Sequence, residues 1–381
     1  MNQNQPVGIG LLGCGAFGIF CLTNWSKMDG VHIAATSDYQ PDLARSAARR
    51  FGATACLSES ELLSRPDVDL IHIATPPSLH YVQAMRAMQA GKHVLCEKPL
   101  ALSTSHADEM MAAAAAHQRI LAINFVLRYN AVTEAVKNVL DSGAMGKALS
   151  AQLTNCAADS KLPPEHWFWD KTMSGGIFLE HGVHFFDLYR YWLGPGEVFC
   201  AHTEIRQDTS QEDRVTCLVR HQNGAVASHY HGFDQLLMMD RTDHHIVCEL
   251  GDIRVQGWIP LRMEIDAAVN DSTENSLVAC CGGATPHRVM NFEEKQRHLS
   301  SRGKLRDMSR RIRLTYQPKP DKGEVYAEST RSLLADQIAA IRDYHHVRRV
   351  SDADGRDAVA MAEAADKLAQ AAPSSMPSTS R

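Results

Sequence analysis

The chain has 381 residues, 44% of them hydrophobic and 22% charged, with a net charge of -5 at pH 7. That length holds two domains with sizeable cores, and an acidic balance without a basic run argues against nucleic acid as a partner. No apolar stretch reaches the ~18 residues that cross a bilayer, MNQNQPVGIGLLG has no secretory-leader pattern, and ten cysteines without a CxxC pair read as reduced thiols of a cytoplasmic enzyme.

From Val7 to about Phe125, short apolar runs alternate with helical ones. Strands are predicted at VGIGLL (7–12), VHIAATSD (31–38), DLIHIAT (69–75), HVLCE (93–97) and ILAINF (120–125). Helical periodicity marks PDLARSAARRF (41–51) and SLHYVQAMRAMQAG (78–91). Strands separated by helices predict a parallel sheet covered on both faces. Directly after the first strand, Gly13, Gly15 and Gly18 stand in GxGxxG spacing and open a helix. Gly13 suits the tight turn, Gly15 lets the backbone approach a pyrophosphate, and Gly18 lets helix and strand pack closely. The helix N-terminus offers unpaired N–H groups and a partial positive charge to that anion. Gly13, Gly15, Ala16, Phe17 and Gly18 are therefore candidate cofactor-binding residues.

Asp38 ends the second strand, where an acid hydrogen-bonds the adenosine ribose hydroxyls and repels the 2′-phosphate of NADP. At ~4 Å and an effective dielectric of ~20, one such charge pair is worth about 4 kcal/mol before screening. The next residue is Tyr39 rather than an arginine, so NAD(H) is preferred over NADP(H). The fifth strand ends in Glu97-Lys98-Pro99. Ligands of doubly wound sheets bind beyond the carboxyl ends of the strands, so Lys98 can point its ammonium into the crevice above the nicotinamide. Proline there favours a turn and permits a cis bond.

Beyond residue 130 the rhythm changes. ALSAQLTNC (148–156), DRVTCLVRH (213–221), AVASHYHGF (225–233), HHIVCEL (244–250) and DIRVQGW (252–258) read as strands joined by short connections, among them the turn at Asn223-Gly224. Short connections imply antiparallel neighbours and an α+β second half. Residues 295–312, rich in Arg, Lys and Ser, are expected as an exposed helix or loop. Helices are predicted at 329–346 and 353–370, and a disordered tail at 372–381. The expected division is 1–128, 129–346, a C-terminal helix over 347–371 packed back on the body, and the tail.

GGIFLEHGVHFFD (175–187) carries the remaining chemistry. On a helix, Glu180, His184 and Asp187 share one face, with Gly175 and Gly176 ahead of them to admit a close neighbour. Glu180, His181 and His184 lack the HExxH order of a metal site, so no metal is assigned. Trp167, Trp169 and Asp170 precede the glycine pair, where aromatic faces and an acid suit a sugar ring. Arg128 and Tyr129 follow the strand at 120–125, near the expected domain junction, and with Asp187 are further candidate substrate residues.

GLLGCGAFG (10–18), ATPPSLH (74–80), GKHVLCEKPLA (91–101) and GGIFLEHGVHFFDLYRYWLG (175–194) together resemble the Gfo/Idh/MocA oxidoreductases. The resemblance implies a Rossmann domain followed by a domain built on a large, mostly antiparallel open sheet. It implies that Lys98 is catalytic, that His184 is the general acid/base, and that Thr75, Pro76, His80 and Glu97 flank the cofactor. The family usually has Asp where this chain has Glu180, which is expected to orient His184 or to bind a substrate hydroxyl. The implied reaction is hydride transfer between a secondary alcohol of a sugar or polyol and a nicotinamide. The alternatives are a redox-neutral sugar enzyme with tightly held NAD and a non-catalytic NAD-binding regulator. A homodimer or homotetramer joined through the open sheet is expected, with no nucleic-acid or membrane partner.

Overall fold

The computed structural model describes residues 5–160, 162–301 and 303–371. The chain divides into two compact units that interleave along the sequence. The first holds Met1–Tyr129, His166–Asp187 and Gly323–Ala360, and the second holds Asn130–Glu165, Leu188–Lys322 and Met361–Arg381. This differs from the expected boundaries at 128 and 346, because two later segments pack with the N-terminal sheet. A linear reading of composition does not register such returns. The expected disordered tail, 372–381, lies outside the described residues.

In the first unit, β1 (Val7–Leu12), β2 (Val31–Ser37), β3 (Thr54–Cys56), β4 (Leu70–Ile73), β5 (His93–Cys96) and β6 (Leu121–Ile123) form one parallel sheet. Their order is β3-β2-β1-β4-β5-β6, the doubly wound arrangement with its switch point beside β1. Strands β1, β4 and β5 are buried on both faces, which is why they read as continuous apolar runs. Helices α1 (Ala16–Trp25), α2 (Pro41–Phe51), α3 (Glu59–Ser64), α4 (Pro77–Gln89) and α5 (Thr104–His117) connect them. Three-residue β3 is too short to leave a periodic signal in the sequence.

The second unit is a nine-stranded sheet with α6 (Ala131–Ser142) and α9 (Asp271–Cys280). Its strands are β7 (Ala148–Ala158), β8 (Gly196–Ile205), β9 (Glu212–His221), β10 (Val226–Gln235), β11 (Arg241–Cys248), β12 (Gly251–Gln256), β13 (Arg262–Val269), β14 (His287–Asn291) and β17 (Arg310–Tyr316). They lie in the order β14-β17-β13-β12-β11-β7-β10-β9-β8, and only the β10–β7 pair is parallel. Period-two burial explains the pairing. Met263, Ile265, Ala267 and Val269 of β13 are buried, while Arg262, Glu264 and Asp266 alternate with them on the other face. Residues 295–312, expected as helix or loop, instead hold the short α10 (Glu294–Arg297), the hairpin of β15 (His298–Ser301) and β16 (Lys304–Asp307), and the start of β17. The charges that suggested a loop are the exposed side of strands; Arg311 and Arg313 both reach Asp266 of β13.

Within His166–Asp187, the four-residue α7 (Lys171–Ser174) precedes a π-helical turn at Phe178–Gly182, which leads into α8 (Val183–Leu193). The first unit is completed by α11 (Lys322–Arg342) and the opening part of α12 (Asp352–Ala371). Trp25 of α1 donates to the Thr330 carbonyl of α11 at 3.0 Å, one of the links that hold the returning segment to the sheet.

Candidate active site

The glycine loop leaves β1 in a conformation that needs glycine. Gly13 adopts φ 95°, and a Cβ there would stand 2.6 Å from the Ala74 carbonyl oxygen. A Cβ on Gly18 would lie 2.6 Å from the Gly13 oxygen, whereas one on Gly15 meets nothing within 4 Å. Gly15 therefore leaves room for an anion at the N-terminus of α1, which has no side-chain cap. Ala16 is exposed there, and Phe17 packs half-buried against Phe20 and Tyr326, with ring centroids 5.9 and 6.0 Å away. At the end of β2, Asp38 accepts from the Cys14 N–H at 2.7 Å and from the Gln40 N–H at 2.8 Å. Its carboxylate is thus held beside the glycine loop. A tight turn, an open cradle and a fixed acid fit an adenine dinucleotide.

Beyond β4, the Thr75 hydroxyl donates to Gln83 Oε1 at 2.5 Å and Pro76 precedes α4. His80, expected to flank the cofactor, has no exposed surface, and its ring nitrogens lie 2.7 Å from the Pro99 oxygen and 2.8 Å from the Thr75 oxygen. The ring bridges two strand-end turns instead of facing a ligand.

At the end of β5 the Lys98-Pro99 bond is cis. Glu97 Oε1 is bound by Asn124 Nδ2 at 2.7 Å and by His72 Nε2 at 2.8 Å. Neither Asn124 nor His72 stands out in the sequence, although Asn124 directly follows β6 at the sheet's carboxyl end, where a strand-end search would find it. Cys21, His72 and Glu97 bring possible ligand atoms within 4.8 Å of one another. Burial holds the Cys21 thiol well above its usual range, and the Glu97 oxygen already takes two hydrogen bonds. Such donor chemistry is a hydrogen-bonded support beneath Lys98, not an open ligand set.

Lys98 is the junction of the site. Its Nζ donates to Glu180 Oε1 at 2.5 Å and to the Glu180 carbonyl at 2.7 Å, and both side chains are largely buried. Against the expectation that Glu180 orients His184 or meets a substrate hydroxyl, its carboxylate grips Lys98. The reason is local. Gly175 adopts φ 82°, a Cβ there would come 2.3 Å from Leu179 Cδ2, and the chain enters the helix through the π-turn that carries Glu180. Such turns recur at functional sites because they re-aim single side chains.

His184 follows in the first turn of α8, 6% exposed, its ring 6.3 Å from Phe125 and 6.4 Å from His181. Burial, with the charge of Lys98 added, pulls the His181 pKa down to about 3. Lys98, Glu180 and His184 all belong to the first unit, so the lysine and histidine expected from separate domains lie in one.

The expected substrate residues are mostly engaged elsewhere. Arg128 and Asp187 ion-pair with each other inside the first unit, Nη2 to Oδ1 at 2.5 Å and Nε to Oδ2 at 2.9 Å, and Arg128 also binds Asp354 at 2.8 Å. Tyr129 donates to Asp336 at 2.6 Å. Exposed Asp170 caps α7 by accepting from the Thr172 hydroxyl and N–H, bonds that hold its carboxyl below the usual range. Trp169 is buried edge-to-face on Phe168, and Trp167 sits half-buried beside His166.

Two family models match this chain. Residues 7–125 match the oxidoreductase family with an NAD-binding Rossmann fold, and residues 133–254 match the GFO/IDH/MocA C-terminal domain. The chain belongs to the Gfo/Idh/MocA family. Among curated relatives of this family member, a dTDP-3,4-didehydro-2,6-dideoxy-alpha-D-glucose 3-reductase of Saccharopolyspora spinosa is 28% identical over 61% of this chain and 70% of its own length. A 1,5-anhydro-D-fructose reductase of Ensifer adhaerens is 35% identical over 46% of this chain and 54% of its own. The chain thus spans only about half the length of the second relative. A levoglucosan dehydrogenase solved with NADH and L-sorbose shares the fold, with a TM-score of 0.76 and 22% identity over 96% of this chain and 97% of that one. The Gfo/Idh/MocA member described here is an oxidoreductase with an NAD-binding Rossmann domain. No helix among the described residues is long and apolar enough to cross a membrane.

Proposed function

We propose that the protein transfers hydride between a secondary alcohol of a sugar or polyol and NAD. The observation that carries this reading is the Lys98–Glu180 pair, held at the carboxyl end of the dinucleotide sheet one helical turn before His184. His184 accepts the hydroxyl proton as general base, a role typically worth ~10²–10⁴-fold. The Lys98 ammonium stabilises the oxygen as negative charge develops on it. Glu180 holds that ammonium in place, and Glu97 braces the turn behind it. NAD supplies the hydride acceptor, and the protein supplies alignment. Gly13, Gly15, Ala16, Phe17 and Gly18 cradle its pyrophosphate, Thr75, Pro76 and Glu97 border the nicotinamide half, and Asp38 favours NAD over NADP. Half-buried Trp167 remains the proposed sugar-stacking face, while Trp169 packs on Phe168.

The test is a panel of sugars and polyols with NAD or NADP, followed at the absorbance of the reduced nicotinamide. The reading predicts net NADH formation that His184→Ala and Lys98→Ala each suppress at least about 100-fold. Conversion of a sugar without net NADH would replace it with redox-neutral chemistry, and wild-type kcat in either variant would remove the assigned roles. The ten free cysteines fit a cytoplasmic setting. Along β11 and β13 the residues on one face are buried and the polar ones on the opposite face are half-exposed, and that polar face supports a homodimer or homotetramer through it; light scattering of a monomer at micromolar concentration would reject it.

A further inference from the structure

His80 lies at the start of α4 with both ring nitrogens at hydrogen-bond distance from main-chain carbonyls, Nδ1 2.7 Å from Pro99 and Nε2 2.8 Å from Thr75. A carbonyl oxygen only accepts. A neutral imidazole carries one N–H, and only the imidazolium carries two. Both contacts are therefore hydrogen bonds only when the ring is a cation, and the neutral ring satisfies one carbonyl while presenting a lone pair to the other. Each carbonyl belongs to a turn at the site: Thr75 begins the turn after β4, and Pro99 immediately follows Lys98.

We propose that His80 is a positioning residue that ties the turn after β4 to the Lys98-Pro99 turn through a second, proton-dependent hydrogen bond, so that the seat of Lys98 tightens when His80 is protonated. The charged groups that act on the ring are Glu97 and Lys98. Of the elements packed on α4, β4 carries His72, which is bound to Glu97, and β5 carries His93, which accepts from the Ile120 N–H; α5 directs His106 and Glu109 to the neighbouring Tyr81, and α7 is capped by Asp170 and begins with Lys171. Burial pulls the His80 pKa below the usual histidine range with Lys98 adding to it, while the two carbonyls and Glu97 push the other way. The sign follows: the second bond is present on the acid side of that pKa and is lost as the pH rises through it.

The role in rate rests on the dehydrogenase reading, but the tie itself does not, and the two are separated by measuring them independently. The first experiment is nitrogen NMR of uniformly nitrogen-15-labelled enzyme without substrate, titrated from about pH 8 to about pH 5, with His80→Gln assigning the ring resonances. The expected result is conversion from one protonated ring nitrogen to two, with movement of the Glu97 and Lys98 amide signals. A ring that keeps one protonated nitrogen throughout, or that gains the second without moving those amides, overturns the proposal. The second uses His80→Gln, whose amide donates to one carbonyl without titrating. NADH affinity is expected within about threefold of wild type throughout, and kcat about tenfold below wild type at the acid end of the range, the wild-type-to-variant ratio falling toward one as the pH rises. A ratio constant across pH overturns the proposal. Failure of wild type to oxidise any alcohol would sink the dehydrogenase reading, and the NMR titration alone would then decide whether the tie exists.

Discussion

Glu180 acts on the reaction through Lys98, and this can be tested against the alternative that it acts on His184. The Nζ–Oε1 separation of 2.5 Å at an effective dielectric of ~20 gives about 6–7 kcal/mol of attraction before desolvation. Desolvation takes back much of this, and breaking one partner of a buried pair typically costs about 3–5 kcal/mol. Glu180→Gln keeps the shape and removes the charge, so unfolding should occur at lower temperature. Freed to drift by about 1 Å, Lys98 should lose about 100-fold in kcat. Glu180→Asp retracts the carboxylate by roughly 1.5 Å, one C–C bond, which breaks the hydrogen bond but keeps part of the attraction. Its kcat should lie between wild type and Glu180→Gln. The decisive assay is a double-mutant cycle on the fastest alcohol of the panel. Because Glu180 works through Lys98, Lys98→Met and Lys98→Met/Glu180→Gln should have the same kcat within about twofold. A further large drop on adding Glu180→Gln to the Lys98→Met enzyme would mean that Glu180 serves His184 or the substrate directly, which would refute its action through Lys98.

Gly15→Val should fold as well as wild type, since its Cβ meets nothing within 4 Å, yet lose NADH binding at least about 100-fold by filling the anion cradle; fluorescence titration and thermal unfolding separate the two effects. Asp38→Asn preserves the side chain's shape but removes the charge, and should raise the NADP-to-NAD ratio of kcat/KM at least about tenfold, a fraction of the ~4 kcal/mol repulsion. Arg128→Met leaves Asp187 buried without its cation and should destabilise by about 3–5 kcal/mol, whereas adding Asp187→Asn should recover part of that loss in urea unfolding. In the second unit, burial lowers the pKa of His244 to about 3 and that of His229 well below its usual value. Both are neutral when folded and protonate more readily when unfolded. Their stabilisation is present above the ordinary histidine pKa of ~6.5 and is lost as the pH falls, by about 2 kcal/mol at pH 5 for His244 and in the same direction for His229, which calorimetry would register as a falling Tm.

Sequence patterning exposes the parts of this protein that are local and hides those that depend on the chain returning. β1 and α2 match their predicted bounds to the residue, because a buried strand and a proline-started, glycine-stopped helix carry their signals within a dozen positions. The glycine loop is legible for the same reason, and the structure adds only which glycine is steric and which is open. Lys98 can be placed at a strand end from sequence, but its partner cannot be named. Spacing puts Glu180 on the face of His184 as though the helix were regular, and a π-turn is invisible to a 3.6-residue period. The same limit applies to Arg128 and Asp187. Each is a polar residue near the expected site, and each is neutralised by the other across 59 positions, with Asp354 arriving from 226 positions away. Charge near a site suggests substrate until its partner is known. Composition misleads over 295–312 for a related reason: an arginine-rich strand is ordinary once Asp266 of a neighbouring strand accepts two of its guanidiniums. What patterning leaves unread is therefore the pairing, and in this protein the pairing positions the chemistry, because Lys98 takes its place from Glu180, a residue 82 positions further along the chain.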